Sequence, residues 1–293
     1  VNTMDPWGGY VIYNKTGAPA LFDLKVTQSA KLAKKREDEQ IDGWKMNLSV
    51  TSKKYMDHAN YIGRSRTAKE GLDFNDNPDL KSPGGFISLT TTQPSWKEDG
   101  LGQFTTDIRS KLYRSGLWDI EVQIKGDKGP FILSTSMIGE LPKDRSFILF
   151  DYSTKDYYDL TGDDSFQFNH HGEAIPYKFK IIEGPPEFIA NQLSEIMRSI
   201  PDKFQLHHNY PNPFNPITNI SYELSEPSRV TITIYDLKGR EVKTIVNEWK
   251  QPGYYSTVWN STDDRNNPVS SGIYFYRMKT NTFHKTLKML LIK

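Results

Sequence analysis

The sequence contains no cysteine, so neither a disulfide framework nor a thiolate metal cluster can hold it together, and its redox compartment leaves no trace in it. Cohesion has to come from packing. Net charge is nearly absent too, at a formal +1 for 37 Lys and Arg against 36 Asp and Glu. The basic excess of a nucleic-acid-binding chain is missing, so DNA and RNA are set aside as partners. No apolar run approaches the ~20 residues of a membrane-spanning helix, and the expectation is that the chain is not transmembrane. Residues 1–25 lack the charged, apolar and small-residue layout of a signal peptide. Also missing are a Gly-x-Ser-x-Gly elbow, a His-Glu-x-x-His helix and a Walker glycine loop. With no nucleophile, base or metal set in a recognisable surrounding, the chain is expected not to be an enzyme.

Aromatic residues are abundant, at 13% with 16 Tyr, 15 Phe and 6 Trp, and with frequent Thr, Gly and Pro they favour strands and turns. Residues 1–27 hold two short β-like runs around the turn-forming stretch Asn14–Pro19 and read as a hairpin. Ala30–Gln40 carries charges of both signs and reads as a solvated linker, so 1–43 is taken as the end of a preceding region. From 44 to 184 the chain is a series of short alternating or apolar runs. In Leu117–Ile124, the side chains of Trp118, Ile120, Val122 and Ile124 share one face, opposite Leu117, Asp119, Glu121 and Gln123. Repeated strands of this kind with Gly, Pro, Asn and Asp between them imply an antiparallel sandwich. Residues 185–203 form a helical connector: Ile189, Leu193, Ile196 and Ile200 recur at three- and four-residue spacing, with prolines before and after.

Residues 204–293 carry the most specific pattern. Asn209–Pro216 packs three prolines among asparagines and aromatics, which makes it a stiff entry loop rather than a strand. Strand runs follow at Thr218–Leu224, Arg229–Asp236, Glu241–Val246, Tyr255–Trp259, Gly272–Met278 and Lys285–Lys293, with a turn at Asp236–Arg240 in which Gly239 can take positive φ. This density of strands is that of an immunoglobulin-like sandwich. The fold class is therefore all-β, two antiparallel β-sandwich domains joined by a short helical connector.

Several motifs here occur together and in order: Tyr210, Pro211, Asn212, Pro213 and Phe214 of the entry loop; Tyr235, Asp236, Gly239 and Arg240; Trp259; Gly272 and Tyr274; and the basic-apolar end Lys288–Lys293. In this combination residues 204–293 resemble the type A C-terminal sorting domain of type IX secretion. The resemblance implies an address read by the type IX secretion machinery at the outer membrane, on a domain that is cleaved or used for surface attachment. One departure is Ser261 and Asn267, where members of that family usually have glycines. Upstream, Pro6–Asn14 resembles the hairpin that often precedes such tails. Trp96, Asp107–Arg109 and Trp118 resemble the β-rich module between hairpin and tail. By this resemblance the chain is expected to be the C-terminal portion of a larger protein, secreted or attached to the outer surface of a Gram-negative bacterium.

Other candidate chemistry is weaker. His170–His171 and His207–His208 are adjacent pairs, and neighbours on a strand point to opposite faces. Asp73, Asn75, Asn77 and Asp79 place oxygens at alternate positions, as in a calcium loop. However, Pro78 stands where an EF-hand needs glycine and Gly84 where it needs its bidentate glutamate. The competing reading is a polar turn closed by its own Asx hydrogen bonds, so no cofactor is expected beyond this candidate structural calcium. Asp159, Asp163 and Asp164 read as solvated loop carboxylates. Trp7, Trp96 and Trp249 are candidates for stacking on sugars. The resulting expectation is a non-catalytic export and attachment domain behind a structural or adhesive module, whose partners include other subunits of an extracellular assembly or a surface polysaccharide. The alternatives are the accessory tail of a secreted hydrolase such as a peptidase, and a carbohydrate-binding module.

Overall fold

In the computed structural model, residues 42–73, 75–79, 86–93, 102–139, 141–160, 162, 164–169 and 175–293 are described. All of them belong to one unit, Asp42–Lys293. The expected hairpin and linker of 1–43, Trp7 included, lie outside these residues except for Asp42 and Gly43, as do Trp96, His170, His171 and Asp163.

The first part consists of β1 (Gly43–Thr51), β2 (Met56–Ser65), β3 (Asn77–Pro78), β4 (Phe86–Thr92), β5 (Gln103–Ser110), β6 (Gly116–Lys125), β7 (Phe131–Gly139), β8 (Ser146–Asp151), β9 (Tyr157–Asp159), β10 (Ser165–Phe168) and β11 (Tyr177–Gly184). They form one sheet in the order β10-β7-β1-β2-β5-β4-β6-β11-β8-β9, with β3 on β5. The sheet doubles over, and its two ends meet across the core. Tyr158 of β9 stacks on Phe166 of β10 at 5.1 Å, and Phe168 of β10 lies 4.7 Å from Tyr177 and 5.4 Å from Phe179 of β11. The two layers share one core that includes Trp44, Met46, Leu48, Trp118, Ile120, Leu133 and Phe147. In β6 the inward face is the expected one: Trp118, Ile120, Val122 and Ile124 are all buried.

One pairing departs from the antiparallel expectation. β2 and β5 run parallel, with Tyr61–Ser65 opposite Thr106–Ser110. β5 starts beside β4, where Thr91 faces Phe104, and continues along β2, so it crosses from one layer to the other. β3 and β4 both lie between β2 and β5 in sequence, a separation long enough for the connection that a parallel pair requires.

Helix α1 (Pro186–Ser199) begins with proline in its first turn, where the missing N–H costs nothing, and carries Glu187 near its start and Arg198 near its end, matching the helix dipole. Ile189, Ile196 and the following Ile200 are buried against Ile148 and Phe150 of β8 and Ile182 of β11. This explains why β8 reads as the unbroken apolar run Phe147–Phe150: one face meets the core and the other meets the helix.

The second part has β12 (Gln205–Leu206), β13 (Thr218–Leu224), β14 (Ser228–Tyr235), β15 (Glu241–Lys250), β16 (Gly253–Trp259), β17 (Gly272–Lys279) and β18 (His284–Leu291). Two antiparallel sheets, β12-β13-β16 and β15-β14-β17-β18, close on a separate core. Ile220, Tyr222 and Leu224 come from one sheet and Val230, Ile232, Ile234, Tyr276 and Met278 from the other. Each such side chain contributes about 1.5–3 kcal/mol of transfer free energy. The all-β sandwich architecture expected from the sequence is what the chain adopts.

Candidate functional site

The entry loop 209–216 lies along the edge of the second sandwich and is tied to the end of the chain. Phe214 is buried 5.7 Å from Trp259, and its amide donates to the carbonyl of Leu290 while its carbonyl accepts from the amide of Ile292, both at 3.0 Å. The Asn212 Oδ1 accepts the Leu290 amide at 3.0 Å. Prolines stand at 211, 213 and 216, away from the backbone donors the loop uses at Asn209, Tyr210 and Phe214. Asn209 closes the start of the loop: its Nδ2 donates to Thr218 Oγ1 at 2.9 Å and to the Pro211 carbonyl at 3.1 Å, and its amide donates to Tyr276 Oη at 2.9 Å. The Tyr276 hydroxyl in turn donates to the His207 carbonyl at 2.8 Å. Pro211 and Pro213 are exposed, and Tyr210 is the most exposed aromatic of the loop.

Trp259 is fully buried, donates Nε1–H to the Thr262 carbonyl at 2.9 Å and meets Tyr274 edge-on at 5.1 Å. Tyr274 reaches past the core to donate its hydroxyl to Ser270 O at 2.7 Å. Gly272 opens β17. At the turn between β14 and β15, Asp236 Oδ1 accepts the amides of Lys238 and Arg240 at 2.8 and 3.0 Å, and Arg240 Nε donates to Oδ2 at 2.7 Å. A desolvation cost would raise the Asp236 carboxyl, but the amide and guanidinium of Arg240 and the amide of Lys238 outweigh it and hold the group below the usual carboxylate range. Gly239 has φ +74°, so a side chain there would be strained although the space is open. Tyr235 lies under Arg277 with the guanidinium 5.0 Å from its ring. The structure thus brings Phe214, Trp259 and Tyr274 into one aromatic cluster and leaves Asp236, Gly239 and Arg240 at a separate turn.

The departure at Ser261 resolves in physical terms. Ser261 takes φ +58°, the left-handed conformation that a glycine adopts freely, and its hydroxyl donates to the Pro216 carbonyl. Asn267 does not take this conformation; its neighbour Asn266 does, at φ +61°. Asn267 instead donates its amide to Asp263 Oδ1 at 2.8 Å. The carboxyl of Asp263 is held low first by the amide N–H of Asn267, a hydrogen bond that favours its charged form.

In the candidate calcium stretch the carboxylates are taken by the chain itself. Asp73 Oδ1 accepts the amide and side-chain N–H of Asn75 at 2.7 and 2.9 Å, and Oδ2 accepts the Lys69 amide at 2.7 Å. Asp79 Oδ2 accepts from the Ser88 hydroxyl at 3.0 Å, and Asn77 begins the short β3. The neighbouring Asp76, not singled out by the sequence pattern, is buried between the amides of Asp73 and Ile108 at 2.9 and 3.0 Å. Burial pushes its carboxyl up to about 6 against the pull of those two amides. Among the described residues no three His, Asp or Glu side chains are grouped to hold a metal. His207 turns to Glu223 Oε1 at 2.6 Å while His208 is exposed. Asp159 and Asp164 are at the surface, and Trp249 is half-buried on β15.

Sequence reasoning missed the largest buried charge cluster. Arg64 of β2 and Glu183 of β11 are fully buried and joined Nε to Oε2 at 2.6 Å; Arg145 binds the other oxygen at 2.5 Å. Arg64 also donates to the carbonyls of Ser110, at 2.7 Å, and Ser115. Arg109 forks onto Asp107 at 2.9 and 3.0 Å, donates to the Leu117 carbonyl at 2.8 Å and lies 4.6 Å over Trp118, with Arg64 at 5.5 Å from the same ring. Asp107, Arg109 and Trp118, noted in the sequence as one resemblance, thus belong to one contact. No local signal links residues 64 and 183.

The FlgD Ig-like domain family matches residues 215–282, the stretch from the end of the entry loop through β17. Among solved structures, PorZ, an essential bacterial surface component of the type-IX secretion system of Porphyromonas gingivalis, is 15% identical with a TM-score of 0.24; the match covers 60% of this chain and 29% of that one. Dimeric latent PorU from the same organism is 11% identical with a TM-score of 0.26, over 85% of this chain and 29% of the other. The chain spans under a third of the length of either. No curated protein matches it.

Proposed function

We propose that the immunoglobulin-like sandwich at the C-terminal end of the chain is an export address for type IX secretion, and that the preceding sandwich is a non-catalytic structural or adhesive module of a protein secreted to, or attached at, the outer surface. The observation that carries this reading is the joint placement of the motif residues. Phe214, Trp259 and Tyr274 form one buried cluster, and the entry loop is hydrogen-bonded to the last strand through Leu290 and Ile292. A core of its own and a last strand tied to the entry loop support reading 204–293 as one unit, as an address attached to varied cargo must be. A non-catalytic first sandwich is supported by how its buried charges are used. Arg64 and Arg145 each take one oxygen of Glu183, and Asp107 is taken by Arg109.

The test is a fusion of residues 204–293 to an inert reporter carrying a periplasmic leader, in a host with type IX machinery. Protease-accessible reporter outside the cell is the expected outcome, and reporter confined to the periplasm rejects the address. Turnover of peptide or glycoside substrates by the full chain, lost on mutation of a buried carboxylate but with the fold retained, would reject the non-catalytic role.

A further inference from the structure

The loop between β5 and β6 is held from beneath with unusual force for so exposed a segment. The buried guanidinium of Arg64 fixes the carbonyls of Ser110 and Ser115, one on each side of the loop, and Arg109 fixes that of Leu117. The Lys111 amide donates to Ser65 O at 3.0 Å. Only Leu112, Tyr113 and Arg114 project freely, and they project far: Leu112 is 89% exposed and Tyr113 52%. A buried arginine is costly to desolvate, and here two of them order a backbone whose apolar side chains face water. An ordered loop gives up less entropy on binding, which is what a recognition tip requires.

The surroundings of the tip specify what it meets. Arg66, Lys111 and Arg114 flank it, and the two carboxylates beside them, Asp42 and Glu70, are already engaged. Asp42 is shared between Arg66 at 3.3 Å and Lys111 at 3.1 Å, and Glu70 lies 3.8 Å from Arg64. Next to the leucine and tyrosine of the tip, these three cations therefore stand against the single carboxylate of Asp42, Glu70 being turned to the buried Arg64. This order of apolar apex, aromatic shoulder and cationic collar matches the layering of a bilayer interface, where acyl chains lie beneath a belt that favours aromatics and anionic headgroups. The tip is convex, so a protein partner would need a matching apolar pocket, whereas a lipid surface deforms around it.

We infer that the Lys111–Arg114 tip docks the chain on an anionic lipid surface, with Leu112 entering the interface and Lys111 and Arg114 contacting headgroup phosphates. The inference does not depend on the export reading. The full chain, 1–293, is floated with vesicles of phosphatidylcholine alone and with vesicles of equal parts phosphatidylcholine and phosphatidylglycerol. Binding at least several-fold stronger to the anionic vesicles, weakened by added salt and reduced to the phosphatidylcholine level in Leu112→Ser and in Arg114→Glu, is the expected result; Lys238→Glu, in the second sandwich, leaves it unchanged. Because the chain has no cysteine, Leu112→Cys and Leu237→Cys each accept a single environment-sensitive dye. Emission at 112 rises several-fold on anionic vesicles and that at 237 does not. Equal binding to both vesicle types, binding untouched by the tip variants, or a dye response at 237 but not at 112 overturns the inference. So does capture by an acidic peptide in solution with no vesicle binding, which gives the tip to a protein partner. Circular dichroism of each variant confirms that the fold is intact.

Discussion

Ser261 shows how one side chain stands in for a glycine. Its left-handed backbone costs about 1 kcal/mol, and the hydroxyl bond to the Pro216 carbonyl offsets a similar amount. Ser261→Ala keeps the strain and loses the bond, whereas Ser261→Gly loses both. Urea midpoints should therefore place the glycine variant about 1 kcal/mol above the alanine variant; equal midpoints would show that the strain is not there. Asp76 is the complementary case of a charge held where it is unwelcome. Its folded carboxyl is raised to about 6 by burial, so between the unfolded value near 4 and pH 6 the native state keeps a proton that the unfolded chain has released. The raised group favours folding at low pH, and that advantage is lost as pH rises through the window. Relative to Asp76→Asn, the wild-type chain should lose up to about 3 kcal/mol between pH 4 and pH 6.5, read from denaturant midpoints at each pH. Parallel pH profiles for the two proteins would remove Asp76 as the cause.

At the scale of elements, what was legible in the sequence was what alternation and punctuation encode. The inward face of β6, the helix from Pro186 and the Gly239 turn all follow from local spacing. Partnering was not legible. The parallel β2–β5 pair depends on β5 changing layers, and the Arg64–Glu183 bond joins strands whose neighbours in sequence give no hint of each other. The entry loop lies between these cases: its prolines announce a rigid loop, but only its pairing with β18 says what it is rigid against. That pairing can be measured. Asn212→Ala should cost about 1 kcal/mol and speed hydrogen exchange at the Leu290 amide, leaving β13 and β16 protected. Phe214→Ala, which empties a buried site beside Trp259, should cost about 3–5 kcal/mol. Unchanged exchange at Leu290 in Asn212→Ala would mean that the loop and the last strand are not coupled.

For the whole molecule, the decisive feature is that the two sandwiches have separate cores with no residue in common, while the packing of α1 belongs to the outer face of β8 and β11. Among the described residues, Gln251 Nε2 of the second sandwich donates to the Pro176 carbonyl of the first part at 2.7 Å. Cooperativity follows buried apolar contact, so each core should melt as its own unit. Glu183→Gln leaves Arg64 and Arg145 short of a carboxylate in a dry site and should cost about 3–5 kcal/mol, all of it in the first sandwich. Trp259→Ala should cost a similar amount in the second. Scanning calorimetry of the full chain should therefore resolve two transitions, with Glu183→Gln lowering one midpoint, Trp259→Ala lowering the other, and isolated 204–293 reproducing only the second. If both substitutions lower the same midpoint, the two cores fold as one, and the C-terminal sandwich is not the transferable unit that an export address has to be.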